Sequence, residues 1–340
     1  MEADHVDIDL NGFTINGPGG SSERSAIFQE SDYLNLRVRN GNIVNWGGEG
    51  TFAVEALGLG NVLEDLSVYH CVQGLRSGAQ STVRRCIVYG GASSAGTVRA
   101  IDAVARSTVS DCIVMDVGTG GLNTTGIHGG LDVAILDSVV LNVSGNFSGV
   151  GLYTDLGGDI QRSVARGIFG NLESHGIMSG SDGRIIACVA SGVASPSAAR
   201  GIRVGPRGMA VHALAAANSG GGIATSTNGF IVSSLAVSNS SWGFRANAGS
   251  RITDSFAVGN GGSGFLLTEH NANEISNNDA TRNLIGFDVG GMDLVTGNAA
   301  LRNSDTNFDT DGATRLGLVM VNPGLAFTTT NSWANFSITD

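Results

Sequence analysis

Short apolar stretches, separated by Gly, Asn, Ser and Asp, recur at regular intervals along most of the chain. One four-residue motif reads small or polar, small, apolar, then small or apolar, and it recurs from residues 65–68 to residues 254–257. The third positions, which are apolar from Ile87 onward, are 20, 26, 26, 25, 25, 25, 21 and 21 residues apart. No apolar run is long enough for a helix to form, and turn residues bound each one, so the pattern predicts short β-strands.

A second apolar series keeps step with the first. Its members are Ile101, Ile127, Leu152, Ile177, Ile202, Ile223, Phe244, Phe265 and Phe287. A third series runs from Val83 to Ile275 at similar intervals, so each interval holds three short strands. Three strands in 20 to 26 residues cannot bury their apolar faces alone and must pack on the copies before and after them. The sequence therefore predicts a solenoid with ladders of equivalent side chains.

The residue after each member of the second series is predicted to face outward, because side chains alternate along a strand. This outward row and its flanking row contain the candidate site residues Asp102, His128, Tyr153, Asp155, His175, Arg200, Arg203, Trp242 and Arg245. A carboxylate, an imidazole and an arginine on adjacent coils would suffice for acid–base chemistry on a sugar, and Tyr153 and Trp242 would stack on its ring. The alternative is an ordinary polar outer face kept for solubility.

The regular interval fails at both ends of the chain. We predict an amino-terminal cap with the first irregular coils at residues 1–60, a regular β-helix at 61–312 and a carboxy-terminal cap at 313–340. Caps are needed because an open coil exposes unpaired strand edges. Trp333 and Phe336 are predicted to plug the apolar interior of the last coil.

Composition narrows the class of partner. Apolar residues make up 41% of the chain, glycine accounts for 52 of 340 residues, and the net charge is −11. Acidic charge argues against a nucleic-acid-binding surface, and no stretch approaches the 18 apolar residues of a membrane span. The four cysteines lack metal-ligand spacing and are predicted to be buried thiols. We expect a monomer whose partner is a polysaccharide or glycan.

The repeats resemble those of the right-handed parallel β-helix, or pectate-lyase-like, superfamily over nearly the whole chain. The segments HVDIDLNGFTING (5–17) and NSWANF (331–336) resemble the ends of bacterial secreted or cell-surface proteins of this type. This resemblance implies an all-β, single-domain, right-handed parallel β-helix of about 11–12 coils, with three short strands per coil. It also implies carbohydrate ligands and a secreted or cell-surface location. Because the first residues are charged and form no signal peptide, we expect a leader to be missing from this sequence.

A narrower resemblance concerns the segments TD, SHGIMSGSDG and RGIRV, which follow in this order between residues 154 and 204. They are similar to the order of motifs in polygalacturonase-type hydrolases. That resemblance implies Asp155 as an acidic catalytic residue, His175 as its neighbour and Arg203 as a carboxylate binder. The sequence lacks the Asp-Asp pair of that family, and Val204 stands where the family has lysine.

Lyase chemistry is restricted by the absence of lysine from the chain, which excludes any lysine-base mechanism. A calcium-assisted lyase resembling pectate lyase stays open, with Arg203 or Arg245 as base and Asp155 or Asp132 as a calcium ligand. No tight acidic trio marks a calcium site on this face. We therefore assign no metal ligands and expect no cofactor, with calcium as the one ion left open.

Two functions fit these observations. The first is a polysaccharide-binding or polysaccharide-cleaving protein, hydrolase-like or lyase-like, with Asp155, His175 and Arg203 in catalysis. The predicted substrate-binding residues are Asp102, His128, Tyr153, Arg200, Trp242 and Arg245. The alternative is a non-catalytic structural or adhesin-type surface rod, which the short loops between strands favour.

Overall fold

A computed structural model describes residues 3–19, 24–48, 50–91, 96–118, 122–269, 272–310, 314–322 and 334–338. The described residues form β-strands and turns, with no helix among them. No helix able to cross a membrane occurs in this part of the chain. The chain divides into two compact units, the first with residues 1–179 and 194–198 and the second with residues 180–193 and 199–340.

Strands of three to eight residues make up the first unit. They are β1 Asp7–Asp9, β2 Thr14–Asn16, β3 Ile27–Gln29, β4 Arg37–Val44, β5 Phe52–Ala56, β6 Val62–Tyr69, β7 Gln73–Ser77, β8 Thr82–Arg84, β9 Ile87–Tyr89, β10 Thr97–Ala103, β11 Thr108–Ser110, β12 Ile113–Gly118, β13 Asn123–Gly129, β14 Ala134–Leu136, β15 Val139–Gly145, β16 Ser148–Thr154, β17 Asp159–Gln161, β18 Val164–Gly170 and β19 Glu173–Ser179.

The second unit has the same strand pattern, and most of its strands are three residues long. Its strands are β20 Arg184–Ile186, β21 Val189–Ser191, β22 Ala198–Val204, β23 Met209–Val211, β24 Leu214–Ala216, β25 Gly221–Thr225, β26 Phe230–Val232, β27 Leu235–Val237, β28 Phe244–Ala246, β29 Arg251–Thr253, β30 Phe256–Val258, β31 Ser263–Leu267, β32 Glu274–Ser276, β33 Asp279–Thr281, β34 Ile285–Val289, β35 Leu294–Thr296, β36 Ala299–Leu301, β37 Thr306–Thr310, β38 Arg315–Leu316, β39 Val319–Asn322 and β40 Asn335–Ile338.

Within each unit the strands pair in parallel with the equivalent strands one coil away. In the first unit, β3, β5, β7, β10, β13, β16 and β19 form one sheet, called sheet B here. Sheet B of the second unit contains β22, β25, β28, β31, β34 and β37. The remaining strands form the other walls of the coils, so a regular coil holds three short strands, as predicted. This pairing is that of a parallel β-helix.

The predicted interior ladder is confirmed. Every residue of the second series, from Ile101 to Phe287, is fully buried. In the second unit the ring of Phe265 stacks between those of Phe244 and Phe287, with centroid distances of 4.9 and 4.8 Å. These spacings equal one strand separation, because identical side chains in register stack at that interval.

The four-residue motif lies at a corner of the coil, and its third residue faces outward instead of entering the core. Asp111 has a left-handed backbone with φ of 54°, which ends β11 and redirects the chain. Cys112 and Val114 then point inward and are fully buried, whereas the third-position Ile113 is 36% exposed. All four cysteines are buried and none forms a disulfide, as predicted.

Sheet B bends at a column of small residues. The pairing of β13 with β16 skips Gly126 and Gly151, so the strands change direction there. A Cβ at Gly151 would lie 2.5 Å from the carbonyl oxygen of Gly176, which explains why this close approach needs glycine. The bend brings together outward residues three positions apart, and the side chains of Arg99 and Asp102 bond across it.

The chain ends differ from the middle. Within residues 1–60, β1 and β2 already pair in parallel with β4. Phe336 lies in β40, aligned with Ala299, and is only partly buried at an outward position. The prediction that Phe336 plugs the interior is therefore wrong, because its neighbours Asn335 and Ser337 face inward instead. Trp333 lies outside the described residues.

Candidate functional site

One column of outward side chains in sheet B of the first unit carries most of the chemistry. Its consecutive rungs are Glu55, Arg76, Asp102, His128 and Tyr153. Parallel rungs lie about 4.8 Å apart, so neighbouring side chains in the column can bond directly. The structure thus places the predicted residues Asp102, His128 and Tyr153 on three adjacent coils.

Asp102 is the centre of a buried hydrogen-bond network. Its side chain is only 4% exposed. Oδ1 accepts a hydrogen bond of 2.7 Å from His128 Nδ1, and Oδ2 accepts one of 3.0 Å from Arg99 Nη1. Arg76 Nε lies 3.5 Å from the same Oδ2. Burial acts to raise the pKa of Asp102, but the His128 hydrogen bond and the Arg99 charge outweigh it and lower this pKa. Asp102 is therefore a carboxylate that fixes its neighbours.

The hydrogen bond to Asp102 sets the state of the His128 imidazole. A carboxylate only accepts, so Nδ1 carries a proton and the neutral ring has its lone pair on Nε2. Nε2 lies 3.8 Å from Oδ2 of the exposed Asp155. The Tyr153 ring lies next to the imidazole, with centroids 5.3 Å apart. His128 thus has one anchored nitrogen and one basic nitrogen beside a phenol and a second carboxylate.

Two arginines add positive charge to this site. Arg76 bonds to Glu55 at 3.2 Å as well as pairing with Asp102, and its side chain is partly exposed, as is that of Arg99. Each guanidinium has five donors, so both retain N–H groups for an anionic ligand. Arg76 was not among the predicted site residues, because the outward row inferred from the apolar series began after Ile101. Leu75, which pairs with Ile101, shows that the row starts at least one coil earlier.

His175 does not join Asp155 in the structure. It aligns with Val150 on the neighbouring strand, five residues before Asp155. Its side chain is 3% exposed, and its Nε2 is 2.8 Å from Glu173 Oε1. The motif order therefore brings Asp155 to His128 rather than to His175, because the bend of sheet B separates the two outward rows.

Sheet B of the second unit holds the other predicted residues. Arg203, Ala224 and Arg245 lie on consecutive rungs. Together with Arg200 they border a surface pocket of about 100 Å³. Its lining residues are Arg200, Arg203, Ala224, Thr225, Ser226, Arg245 and Asn247.

Trp242 lies in this second unit but offers little of its ring to solvent. It is 9% exposed. A Cβ on Gly221 would come within 2.1 Å of the Trp242 ring, so the indole packs directly over that glycine. Because Trp242 is only 9% exposed, little of its ring is left for the stacking on a sugar that the sequence predicts.

Metal-binding geometry is absent from the part of the chain that the structure describes. No group of three or more His, Cys, Asp or Glu side chains there could hold an ion. Asp102, the most buried carboxylate of the column, already has three cationic or hydrogen-bonding partners.

Comparisons with known proteins give structural similarity only. No protein-family model and no curated protein matches the sequence. The A-module of Azotobacter vinelandii mannuronan C-5 epimerase AlgE4 is similar with a TM-score of 0.51 and 12% identity, over 86% of this chain and 90% of that one. The periplasmic alginate epimerase AlgG has a TM-score of 0.44 and 10% identity, over 90% and 77% of the two chains.

A third similar structure is a mutant tailspike protein of E. coli bacteriophage HK620 in complex with a hexasaccharide. It has a TM-score of 0.34 and 10% identity, over 98% of this chain and 71% of that one. At such identities the similarity concerns the fold. The likeness to the AlgE4 module and the parallel strand pairing together show that this chain has the right-handed parallel β-helix fold.

Proposed function

We propose that this chain modifies an acidic polysaccharide by removing the proton from carbon 5 of a uronate residue, with His128 as the general base. The observation that carries the proposal is the 2.7 Å hydrogen bond between Asp102 and His128 Nδ1. This bond leaves the basic Nε2 lone pair directed away from the buried carboxylate. A positioned base of this kind contributes about 10²- to 10⁴-fold to a proton-transfer rate.

The rest of the column fits the same reaction. The C5 proton is adjacent to a carboxylate, so its removal places negative charge on that group, and Arg76 and Arg99 supply donors to stabilise it. His128 Nε2 takes the proton, and the C–H electron pair moves into the carboxylate as an enediolate. In elimination, the enediolate expels the C4 oxygen, which takes the proton of the Tyr153 hydroxyl as it leaves and gives an unsaturated uronate. In inversion, C5 takes that proton instead and gives the inverted sugar. In both cases the proton held by His128 then passes to the Tyr153 phenolate, directly or through water, which restores the acid and the base.

The imidazolium that forms is stabilised on both sides. Asp102 holds Nδ1–H, and Asp155 lies 3.8 Å from Nε2. The epimerase module with the same fold is named for a C-5 reaction on mannuronan, which supports this substrate position for the present chain.

Two-carboxylate hydrolysis fits the site less well. A glycosidase needs a protonated carboxylic acid that reaches the glycosidic oxygen. Asp102 has a lowered pKa and is almost fully buried, so it cannot serve as that acid. The proposed step uses Asp155 but does not require His175 or Arg203, whose assignment to catalysis stays a prediction from the sequence.

The test is a panel of defined uronate-containing and neutral polysaccharides, assayed for unsaturated-uronate absorbance, for C5 inversion by NMR and for new reducing ends. With an acidic polysaccharide we expect either unsaturated-uronate absorbance or C5 inversion. The rate of this reaction should fall about 100-fold in His128→Gln. It should not fall in His70→Gln, which changes an exposed histidine of the same unit. New reducing ends without unsaturation would refute the proposal in favour of hydrolysis. Absence of all three signals would favour the non-catalytic rod.

The variant His175→Gln separates this proposal from the assignment based on motif order. If His175→Gln abolishes activity while His128→Gln does not, the site belongs to the row of His175 and the proposed base is wrong. Circular dichroism must first show that both variants are folded, because both histidines are largely buried.

A further inference from the structure

We propose that the second unit has an oxyanion-binding pocket of its own, formed by Arg200, Arg203 and Arg245, which takes a carboxylate or sulfate substituent of an acidic polysaccharide. The pocket is the one of about 100 Å³ on sheet B of this unit. The inference concerns binding and does not depend on the proton transfer at His128.

The register of sheet B builds the pocket. Arg203 and Arg245 occupy the same outward column with Ala224 between them. Their backbones are two rungs apart, about 9–10 Å, a distance that two extended guanidinium side chains can close around one small anion. The methyl side chain of Ala224 leaves the space above it open, so the two arginines flank a depression with a small floor.

The lining chemistry suits an anion with several oxygens. The seven residues that line the pocket include three arginines, three neutral polar residues and one alanine, with no acidic residue among them. Asn247 Oδ1 accepts a hydrogen bond of 3.0 Å from Thr268 Oγ1, which leaves the amide NH₂ of Asn247 as a donor. Arginine matches the planar oxygens of a carboxylate in bidentate geometry, and it also binds the tetrahedral oxygens of sulfate.

Electrostatics favours an added anion at this place. Burial lowers the pKa of Arg245, the nearby positive charge of Arg200 lowers it further, and Glu269 acts in the opposite direction. Two guanidinium groups therefore repel each other in a partly desolvated position, and a bound anion would offset both effects. Arg207, an arginine of the same unit outside the pocket, pairs with Asp182 at 2.7 Å.

The experiment is isothermal titration calorimetry of the whole chain with three oligosaccharides of equal length: a uronate oligomer, a sulfated oligomer without uronate, and a neutral oligomer. We expect saturable binding of at least one anionic oligomer and none of the neutral one. Arg245→Gln and Ala224→Glu should each weaken this binding at least about tenfold, the first by removing a charged donor and the second by placing a carboxylate in the pocket. Arg207→Gln removes the same charge elsewhere in the unit and should leave affinity unchanged.

The two anionic arms distinguish the sources of the oxyanion, because binding of only one oligomer assigns the pocket to carboxylate or to sulfate. Equal weakening by Arg207→Gln and Arg245→Gln would overturn the inference, since the effect would then reflect net charge alone. Absence of anionic binding, or binding of the neutral oligomer with equal affinity, would overturn it too. Repeating the titration with His128→Gln separates the two proposals. Intact oligosaccharide binding together with lost turnover in this variant supports both. If the wild type turns over substrate but Arg245→Gln and Ala224→Glu do not weaken its binding, only the proposal of the oxyanion pocket is refuted.

Discussion

Replacing Asp102 with asparagine tests the site by changing a charge at constant volume. In the wild type, the carboxylate bonds to His128 at 2.7 Å and to Arg99 at 3.0 Å, and pairs with Arg76 at 3.5 Å. Asp102→Asn keeps an acceptor oxygen but also presents an NH₂ group. The amide no longer requires a proton on Nδ1 of His128, so the imidazole can adopt the other tautomer.

The stability cost of Asp102→Asn follows from these contacts. Each hydrogen bond to a charged group contributes about 1.5–3 kcal/mol. Because both arginines are partly exposed, water replaces much of what they lose. We therefore expect a net loss of about 1–3 kcal/mol in the free energy of unfolding, which leaves the protein folded.

The loss of activity should be larger than the loss of stability, because Nε2 of His128 can act as the base only in the tautomer that carries the proton on Nδ1. We expect kcat on the uronate substrate to fall by about 100-fold or more, which corresponds to about 2.7 kcal/mol of transition-state stabilisation. The assays are urea denaturation for stability, steady-state turnover for activity, and ¹⁵N NMR of the imidazole for the tautomer. Turnover within about threefold of wild type in a variant whose Nδ1 has lost its proton would refute the reasoning.

The pH dependence of stability provides an independent check on Asp102. Its pKa in the folded protein is lowered from the usual 3.8. A lowered folded pKa means that the carboxylate stabilises the fold above pH 3.8, and that this contribution is lost as pH falls through the folded pKa. The stability difference between wild type and Asp102→Asn should therefore shrink below about pH 3.8.

Three further predictions concern the fold. Phe265→Ala should cost about 3–5 kcal/mol in unfolding free energy, against about 1 kcal/mol or less for the half-exposed Phe256→Ala, measured by chemical denaturation. Glu64→Gln should cost about 1–3 kcal/mol at neutral pH, because three partly exposed arginines surround this buried carboxylate. That cost should vanish in denaturation curves at low pH, since the pKa of Glu64 is lowered from 4.5. Gly151→Ala should lower the melting temperature more than Gly130→Ala. The added Cβ at position 151 would lie 2.5 Å from a carbonyl oxygen, whereas at position 130 its nearest atom would be 3.4 Å away.

The sequence predicts the fold well because the fold repeats. Equal intervals between apolar residues force equivalent positions into register, and the ladder from Ile101 to Phe287 follows directly from that rule. The same rule predicts that Asp102, His128 and Tyr153 are neighbours on adjacent coils. Residue spacing alone therefore suffices to bring these side chains together.

What the spacing does not predict is the bend of the strand. Sequence periodicity treats the outward rows as parallel columns on a flat sheet, so Asp155 and His175 appear close. The skipped pairing at Gly151 separates the two rows and turns Asp155 towards His128. The sequence also did not predict the burial of Asp102, because the spacing does not show that the side chains of Arg76 and Arg99 both contact its carboxylate.

The most direct test of the proposed chemistry follows the proton itself. A uronate oligomer deuterated at C5 is incubated with the protein in ordinary water, and loss of the label is measured by mass spectrometry and NMR. Both elimination and inversion begin by breaking the C5–H bond, so we predict deuterium loss with wild type and about 100-fold slower loss with His128→Gln. Product formation with the C5 deuterium fully retained, or equal loss in the two proteins, would contradict the account.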